Sequence, residues 1–535
     1  MNTRIVFIII VFVLRMFTSC GDMLELQLYG VVTLDDFYRT PADAERAVTE
    51  AYKIFQTLDG HDGRVRAGWM ATGDVLSADV QGHPDIAVYY QMQQSIVQAD
   101  AGHVLMHWQI GMNGIYMANL AMGRIQDIEM DATLKNRYMG ELLFIRGFFM
   151  FRLGMMFGTA PVITGTLDIN ELNMPNSSRT QTRVPGKAVN SLRVNCDLFD
   201  QAEKDFREAL TKGMANRNTG ALLGRADNAS VKACLVQVCL YGHRWQEAKP
   251  LLEDIMSYGY QLLPDYNHLF NGEHDNSSES VFEVQFAALN QKETDNFGTM
   301  LYAPNAGGFV TGGGWGWTRP TPDIVSEYEE GDPRLVASIF RPDIDDFNGK
   351  VYRDISSGWN YGHRKFCIGP PGFSDGVSID GETWYNSCNF PLVRYAEVLL
   401  WYAEVLNELG DRVGAARHVN MVRKRTATTT NPNTVNITPT WELAPMSEEL
   451  SYEEMFWAIV HERRIELAFE GKFGWDLRRW GIAREVLRDP NRWQNRVFDA
   501  NFFKYEDGKD EILPVPQLEI DRSQGMLRQN HGYPQ

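Results

Sequence analysis

Two segments of the chain repeat one pattern, in which an apolar stripe at helical spacing is followed by a break and a second stripe. In the first segment, the apolar run 229–241 precedes a stripe at i, i+3, i+4 and i+7 within 248–255. In the second, a stripe within 399–406 stops at Gly410, and another follows within 415–422. Small residues at the packing positions allow the paired helices to approach closely. The pattern predicts helical hairpins of tetratricopeptide type.

Two further blocks extend the helical prediction. Thr40 followed by Pro41 is typical of a helix N-cap and first turn, and apolar positions continue to Phe55. From Trp108 to Gly158 the chain is apolar around most of a helical circumference, which predicts buried helices. Arginines 146 and 152 in this block require partners, because an unpaired buried guanidinium costs several kcal/mol.

The stretch from Phe270 to Phe390 changes character to Gly, Pro, Asn and aromatic residues with little helical period. It predicts loops, short strands and small helices laid over the helical scaffold. Binding residues concentrate in loops that a rigid scaffold positions, so we expect the functional site here.

The first 19 residues have the layout of a secretory signal. Arg4 precedes the apolar run 5–14, which is too short to span a bilayer, and small residues stand just before Cys20. This favours a lipobox, in which Cys20 becomes the acylated first residue of the mature protein. The alternative is an ordinary signal peptide with an incidental cysteine. No later stretch approaches the roughly 18 uncharged apolar residues of a membrane span.

Composition narrows the class of ligand. The net charge of −18 and pI near 5.1 disfavour nucleic acid and anionic lipid headgroups as partners, and a neutral ligand fits better. Aromatic residues make up 12% of the chain, and their faces stack well on sugar rings. The cysteines after Cys20 have no CxxC pair and no regular spacing, so they predict neither a disulfide framework nor a zinc site. Pairing of Cys367 with Cys388 stays open.

No motif for catalysis, cofactor binding or metal binding stands out. His103 and His107 have the spacing of two zinc ligands, but the HExxH motif is absent. The charged run 462–481 places Arg463 one helical turn from Glu466, which predicts a structural ion-pair network. In the same interpretation, the residues that secure the end of this helix are Asp476, Arg478 and Arg479. We therefore assign no catalytic residue, cofactor or metal, although sequence alone does not exclude a pair of hydrolytic carboxylates.

The glycine-rich run 307–316 carries Trp315 and is followed by Trp317. Glycines let the backbone swing and approach a ligand, and two tryptophans two residues apart face opposite ways on an extended chain. The alternative is that both are core anchors of the loop. Trp315 and Trp317 are therefore predicted ligand-binding residues.

An ordered set of segments resembles the SusD/RagB family, surface lipoproteins of the Bacteroidota. The segments are DDFYRTPADAERAVTEAY, GELLFIRGFFMFRLGMMFGTAPVIT, GRADNASVKACLVQVCLYGHRWQEAKPLLEDIMSYGYQLLPDYNHLF, ESVFEVQF, NFPLVRYAEVLLWYAEVLNELGD, ERRIELAFEGKFGWDLRRWG, EILPVPQLEID and QNHGY. Each segment alone is weak evidence, but their order over nearly the whole chain is specific.

The resemblance implies a mostly α fold: tetratricopeptide-like helix pairs in a right-handed superhelix, with an irregular ligand-binding region. The expected organisation is a signal peptide at 1–19 and one SusD-like domain at 20–535. That domain divides into helical 20–270, loop-rich 271–390 and helical 391–535. Acids behind Cys20 resemble the signals that send such lipoproteins to the exterior face of the outer membrane. Four further aromatic residues stand in stretches that resemble ligand-site regions of the family, which adds them to the predicted ligand-binding residues: Tyr302, Trp69, Tyr89 and Tyr90.

The implied function is capture of an oligosaccharide or polysaccharide nutrient without turnover and its delivery to a SusC-like TonB-dependent transporter. Three alternatives remain open at this point. They are a peptide-binding member of the same family, a carbohydrate-active hydrolase on a helical scaffold, and a scaffold that binds proteins on its concave helical face.

Overall fold

The computed structural model describes residues 38–56, 69–82, 87–166, 174–184, 191–286, 316–347, 349–353, 361–367, 378–379, 382–383, 388–433, 442–488 and 501–534. Cys20 and the predicted signal peptide lie outside these residues. Among the helices within them, none is long and apolar enough to cross a membrane.

Helices dominate the described chain. The helices before the loop-rich stretch are α1 (Pro41–Gln56), α2 (Trp69–Val75), α3 (Ala87–Gln94), α4 (Gly102–Ile125), α5 (Ala132–Phe157), α6 (Asp197–Ala209), α7 (Asn228–Tyr241) and α8 (Trp245–Ser257). Those that follow are α9 (Pro322–Glu327), α10 (Pro333–Ser338), α11 (Tyr395–Glu408), α12 (Arg412–Lys424), α13 (Tyr452–Glu466), α14 (Phe473–Trp480), α15 (Ala483–Arg488) and α16 (Gln517–Arg522). Single 3₁₀ turns lie at Gly220–Leu222, Tyr266–Leu269 and Arg425–Thr428.

Strands are short and pair only two at a time among the described residues. They are β1 (Val80–Gly82), β2 (Arg179–Arg183), β3 (Leu192–Cys196), β4 (Ser280–Val284), β5 (Thr318–Pro320), β6 (Ile339–Phe340), β7 (Asp346–Phe347), β8 (Lys350–Val351), β9 (Gly362–His363), β10 (Ser378–Ile379), β11 (Glu382–Thr383) and β12 (Phe390–Arg394). The antiparallel pairs are β1 with β5, β2 with β3, β4 with β12, β6 with β9, β7 with β8 and β10 with β11.

The helices pack as the tetratricopeptide-like pairs that the sequence predicts. Helices α4 and α5, α7 and α8, and α11 and α12 form consecutive pairs, and α8 and α13 both pack on α11. The predicted break between α11 and α12 occurs at Gly410, where φ is +90°, a value that glycine adopts without strain. The mostly α class is therefore confirmed.

Helix starts follow local sequence. The backbone N–H of Thr40 donates to Asp43 Oδ2 at 2.8 Å, and the N–H of Asp43 donates to Thr40 Oγ1 at 3.3 Å, so α1 begins where the N-cap pattern predicts. Helix α13 begins with a capping box between Ser451 and Glu454.

One of the two buried arginines of α5, Arg146, has the partner that its sequence context requires. Arg146 donates through Nη2 to Asp205 Oδ1 at 2.6 Å and through Nε to Asp205 Oδ2 at 2.8 Å. A third donation, from Nη1 to Asn119 Oδ1, measures 2.8 Å. This bidentate pair joins α5 to α6.

The charged run 462–481 forms a buried ion-pair network, as predicted, but with different partners. Arg463 does not pair with Glu466 one turn away. Its Nη2 contacts Asp476 Oδ2 at 2.7 Å and Glu397 Oε1 at 3.4 Å. The predicted pairing is wrong because Arg463 and Glu466, although near in sequence, form ion pairs with different neighbouring elements.

Glu466 lies at the centre of the network. It contacts Arg334, Arg394 and Arg425, three arginines distant in sequence. Burial alone would raise the pKa of Glu466, but the guanidinium groups of Arg425, Arg394 and Arg334 hold that pKa well below its usual range. The carboxylate is therefore charged at any physiological pH.

The cysteine pairing that the sequence leaves open is absent. Cys367 and Cys388 are both free thiols, and Cys388 is buried. Burial raises the pKa of Cys367 to about 12, so it is a thiol rather than a reactive thiolate at neutral pH.

Replacing Arg463 with Ala should lower the free energy of unfolding by about 3 kcal/mol, because it leaves buried carboxylates without one of their partners. The loss lies at the low end of the range for broken buried pairs, since Arg479 and Lys472 still contact Asp476 and Glu397. Urea unfolding at neutral pH measures it.

The matched control is Arg417→Ala. Arg417 contacts Glu448 at 3.4 Å, and its side chain is 68% exposed. Because exposed ion pairs contribute less than about 1 kcal/mol, this variant should unfold close to wild type. Equal losses in the two variants would contradict the structural role of Arg463.

Candidate functional site

A short antiparallel pair of strands joins the N-terminal helical part to the loop-rich part. In the β1–β5 pair, Val80 lies opposite Pro320 and Gly82 lies opposite Thr318. Trp317, one of the predicted ligand-binding residues, stands immediately before β5. The pairing therefore sets where Trp317 lies relative to the N-terminal part of the chain.

Helix α3 holds β1 through one side chain. Gln93 Nε2 donates to the carbonyl of Val80 at 2.6 Å, and its Oε1 accepts from the N–H of Gly82 at 3.2 Å. A Cβ at Gly82 would lie 2.9 Å from the Cβ of Tyr89, closer than real contacts allow. Only glycine lets the strand and the helix approach this closely.

The aromatic side chains of α3 and β5 meet across this contact. The ring centroids of Trp317 and Tyr89 are 6.0 Å apart with planes at 61°. Tyr89 also contacts the ring of His103 at 5.2 Å. Trp317 is half-buried, whereas Tyr89 is completely buried. The buried ring of Tyr89 thus packs against the inner side of Trp317.

The prediction that Tyr89 binds ligand is corrected by its burial. A ring with no exposed surface is not available for stacking on a ligand, and its contacts make it part of the core. Tyr90, the next residue, is half-buried and contacts Phe502 with ring centroids 5.5 Å apart. Tyr90 remains a candidate beside Trp317.

The other predicted residues are only partly placed. Trp69 is the first residue of α2, a helix that packs against α3 and α14, but its side chain lies outside the described residues. Tyr302, Trp315 and Cys20 also lie outside them. Of the predicted ligand-binding residues, the structure places Trp317 against the ring of Tyr89, and Tyr90 follows Tyr89 on α3.

A buried arginine of α13 fastens the ends of the β1–β5 pair. Arg464 Nη2 contacts Asp79 Oδ1 at 2.6 Å, just before β1, and Asp323 Oδ2 at 2.8 Å, at the start of α9. Its Nη1 donates to Glu327 Oε2 at 2.7 Å. Burial opposes the charge, but Asp79 and Glu327 outweigh it and raise the pKa of Arg464 above its usual value.

Backbone contacts complete the same junction. The N–H of Thr321 donates to the carbonyl of Asp79 at 2.8 Å, and its hydroxyl donates to the carbonyl of Ala78 at 2.7 Å. The sequence predicted a structural network for the run 462–481, which contains Arg464, but not the contacts of Arg464 with the ends of the β1–β5 pair. It also missed Gln93. The sequence around Gln93 does not indicate what its side chain binds, because its partners are backbone groups of a strand rather than a recognisable side chain.

His103 and His107, the two histidines with zinc-ligand spacing, pack against neighbouring side chains. His107 is buried and lies 2.9 Å from the hydroxyl of Thr72, and burial holds the pKa of His107 well below its usual value. His103 packs on Tyr89. Within the described part of the chain, no group of three or more His, Cys, Asp or Glu side chains is arranged to hold a metal ion.

Protein-family models match the parts of the chain on both sides of the β1–β5 pair. The family model described as "SusD family" matches residues 278–533. The family model described as "Starch-binding associating with outer membrane" matches residues 40–211. "SusD-like protein P2" from Formosa agariphila is 24% identical, over 99% of this chain and 99% of its own length.

The chain belongs to the SusD family.

Solved SusD-family structures share the fold. "Surface glycan-binding protein A from Bacteroides thetaiotaomicron in complex with laminarihexaose" has a TM-score of 0.71 at 20% identity, covering 92% of this chain and 99% of its own. "Laminarin binding SusD-like protein" has a TM-score of 0.70 at 23% identity, covering 93% of this chain and 100% of its own. Strand β1 lies in the part matched by one SusD-type family model and β5 in the part matched by the other. The β1–β5 pair beside Trp317 thus forms where the two matched parts meet.

Replacing Gly82 with Ala should push α3 away from β1 and lower the free energy of unfolding by about 1–3 kcal/mol, as overpacking does. Hydrogen exchange at the amide of residue 82 should quicken, because its bond to Gln93 lengthens. Chemical unfolding and exchange mass spectrometry measure the two effects.

Gly123→Ala is the matched control. A Cβ at Gly123 meets no atom within 4 Å, and the residue lies on α4, so alanine there should raise stability by about 0.5–1 kcal/mol. If Gly82→Ala were as harmless as this control, the close approach of strand and helix would not constrain the site.

Proposed function

We propose that this SusD-family chain captures a glycan at the cell surface and delivers it to a SusC-like TonB-dependent transporter. The observation that carries the proposal is Trp317, a half-buried tryptophan at the junction of β5 with α3, backed by the buried ring of Tyr89. A tryptophan held in this way offers one fixed face to the apolar C–H face of a sugar ring.

Charge supports a neutral ligand. The chain carries a net charge of −18, which repels anionic polymers and adds nothing to the binding of an uncharged sugar. Two of the solved structures with the same fold are named for laminarin or laminarihexaose, both neutral glucans, so laminarihexaose is the first probe to use. Peptide capture remains the alternative within the family.

We infer binding without turnover. Hydrolysis of a glycoside requires two carboxyl groups that flank the bond, one of them with a raised pKa. The carboxylates described at this junction, Asp79, Asp323 and Glu327, are instead occupied by Arg464. A carbohydrate-active hydrolase on this scaffold would release new reducing ends from the bound glycan.

The proposal also includes a lipid anchor at Cys20 and the division of the chain into a signal peptide and one domain. We propose that residues 1–19 are removed as a signal peptide and that acylated Cys20 holds a single domain, 20–535, on the outer membrane, facing the exterior. The layout of residues 4–20 supports this, because an apolar run and small residues precede the cysteine. Trp315, Tyr302 and Trp69 remain proposed ligand contacts alongside Trp317 and Tyr90.

Replacing Trp317 with Ala should weaken glycan binding about thirtyfold, which corresponds to roughly 2 kcal/mol for a central aromatic anchor. Calorimetric titration with laminarihexaose, or with the best ligand of a glycan array, measures the change. Trp457→Ala is the control, because Trp457 is also partly buried but lies on α13 and contacts Phe456. Equal affinities of the Trp317 variant and wild type would place the site elsewhere.

Replacing Cys20 with Ala should release the protein from the outer membrane, because each acyl chain contributes about 0.8 kcal/mol per buried CH₂. Membrane fractionation followed by immunoblotting gives the distribution. Retention of the variant in the outer-membrane fraction at the wild-type level would refute lipidation at this residue.

A further inference from the structure

One histidine of α13 lies between two carboxylates. His461 Nδ1 is 2.9 Å from Glu327 Oε1, and His461 Nε2 is 3.4 Å from Glu329 Oε1. Each ring nitrogen therefore faces a different carboxylate. The side chains of His461 and Glu327 are 23% and 25% exposed, so solvent screens their interaction only in part.

This arrangement fits the protonated form of His461. A neutral imidazole has one N–H donor and one acceptor nitrogen, whereas the imidazolium ion has two donors. Because a carboxylate oxygen lies beside each ring nitrogen, only the imidazolium ion donates to both. Loss of the proton leaves a nitrogen lone pair facing a negatively charged oxygen, which is repulsive.

Glu327 connects His461 to the residues that hold the β1–β5 pair. Glu327 is the last residue of α9, and α9 follows β5 after a single residue. Glu327 Oε1 faces His461, while Glu327 Oε2 accepts from Arg464 Nη1 at 2.7 Å. Arg464 also contacts Asp79 before β1 and Asp323 in α9. His461 and Arg464 therefore hold the end of α9 through one carboxylate.

The second carboxylate is held independently of the histidine. Glu329 Oε1 accepts from Arg423 Nη1 at 2.7 Å, and Glu329 Oε2 accepts from Arg423 Nη2 at 3.0 Å. Arg423 lies on α12 and also donates to Glu462 Oε2 at 3.0 Å. Glu329 is therefore held beside His461 by Arg423, and its fixed negative charge favours the imidazolium ion.

The elements packed on α13 bring further charges near His461. Charged side chains that lie beside His461 or share its carboxylates come from α12, α13 and the segment after β5: Glu327, Glu329, Arg423, Glu462 and Arg464. From α11, Glu397 contacts Arg463 instead. Burial opposes the charge of His461, but the nearby glutamates outweigh burial and raise the pKa of His461 above its usual value.

The proton on His461 therefore stabilises the folded chain. Because the pKa of His461 is higher in the folded chain than in the unfolded chain, this stabilisation is fully present below about pH 6.5, the usual pKa of histidine. It is lost as the pH rises through the raised pKa of the folded chain. His363, which lies 3.1 Å from the hydroxyl of Thr318 in β5, is already neutral in this range, because burial lowers the pKa of His363 to about 3.

We propose that His461 is a pH-dependent switch, which fastens α9 to α13 when it is protonated and loosens α9 when it is neutral. Trp317, β5 and α9 are nearly consecutive in the chain, so the switch controls how firmly the segment that carries Trp317 is held. Mildly acidic medium holds this segment more firmly than mildly alkaline medium. The inference concerns the attachment of α9 and does not depend on which ligand Trp317 binds.

Global unfolding does not isolate His461, because a second group titrates in the same range. Burial and Glu283 raise the pKa of Asp275 to about 7, and Asp275 accepts from the N–H of Asn389 beside β12. The test is therefore local and uses the chain from residue 21, which retains every described residue. Hydrogen exchange by mass spectrometry gives the protection of residues 318–329 at pH 6 and pH 8.5, relative to the exchange rate of the unfolded chain at each pH.

In the wild-type protein, the protection of residues 318–329 should fall about threefold or more from pH 6 to pH 8.5. In His461→Gln, protection should be equal at the two pH values and close to that of wild type at pH 8.5, because glutamine does not titrate. His418→Gln is the matched control. His418 lies on α12 with Nδ1 2.8 Å from the carbonyl oxygen of Gly414, so this variant should keep the wild-type fall. Equal protection of α5 in all three proteins shows that the fold is intact.

NMR of protein labelled with ¹³C at histidine Cε1 gives a second measurement. The signal that disappears in His461→Gln should titrate with a midpoint above about 6.5. A midpoint at or below this value, equal wild-type protection at the two pH values, or a fall that persists in His461→Gln would each overturn the switch. Failure of the Trp317 surface instead appears as equal glycan binding by Trp317→Ala and wild type.

Discussion

The carboxylate of Glu466 sits where elements that are far apart in sequence converge. Arg334 comes from α10, Arg394 from the strand that leads into α11, and Arg425 from the turn after α12. All four side chains are buried, so the carboxylate and the guanidinium groups depend on each other for charge compensation. Removing any one of them leaves an uncompensated charge in the interior, and this mutual dependence fixes the relative positions of the helices and the loop-rich part.

The same helix, α13, extends this arrangement to the β1–β5 pair. Glu466 and Arg464 are two residues apart, and therefore project to different sides of the helix. Glu466 holds the elements around α11 and α12, while Arg464 holds Asp79 before β1 and Asp323 at the start of α9. A short strand pair of three residues a side is weak by itself. Its position is maintained by the ionic contacts of Arg464 on α13.

Arginines and carboxylates are paired in the interior of this acidic chain. Several of the largest completely buried side chains are arginines, namely Arg334, Arg394, Arg463 and Arg464. Each of these cations contacts a buried carboxylate. The net charge of −18 of the whole chain suits an uncharged ligand recognised through aromatic faces and hydrogen bonds.

Local pattern determined much of this fold. The stripe spacing placed α7, α8, α11 and α12, and the N-cap at Thr40 placed α1, because a helix depends on neighbours within about four residues. The requirement that Arg146 be paired also followed from sequence. The sequence did not show which carboxylate would pair with Arg146, because Asp205 is 59 residues away along the chain.

Arg463 illustrates the same limit: helical spacing suggested Glu466, whereas tertiary packing brought Asp476 and Glu397 closer. The glycine-rich run predicted Trp317 and the family resemblance predicted Tyr89 as ligand-binding residues, but only the packing of α3 on β1 buries Tyr89 and leaves Trp317 partly exposed. Burial depends on what the rest of the chain places over a side chain, and local sequence does not encode that.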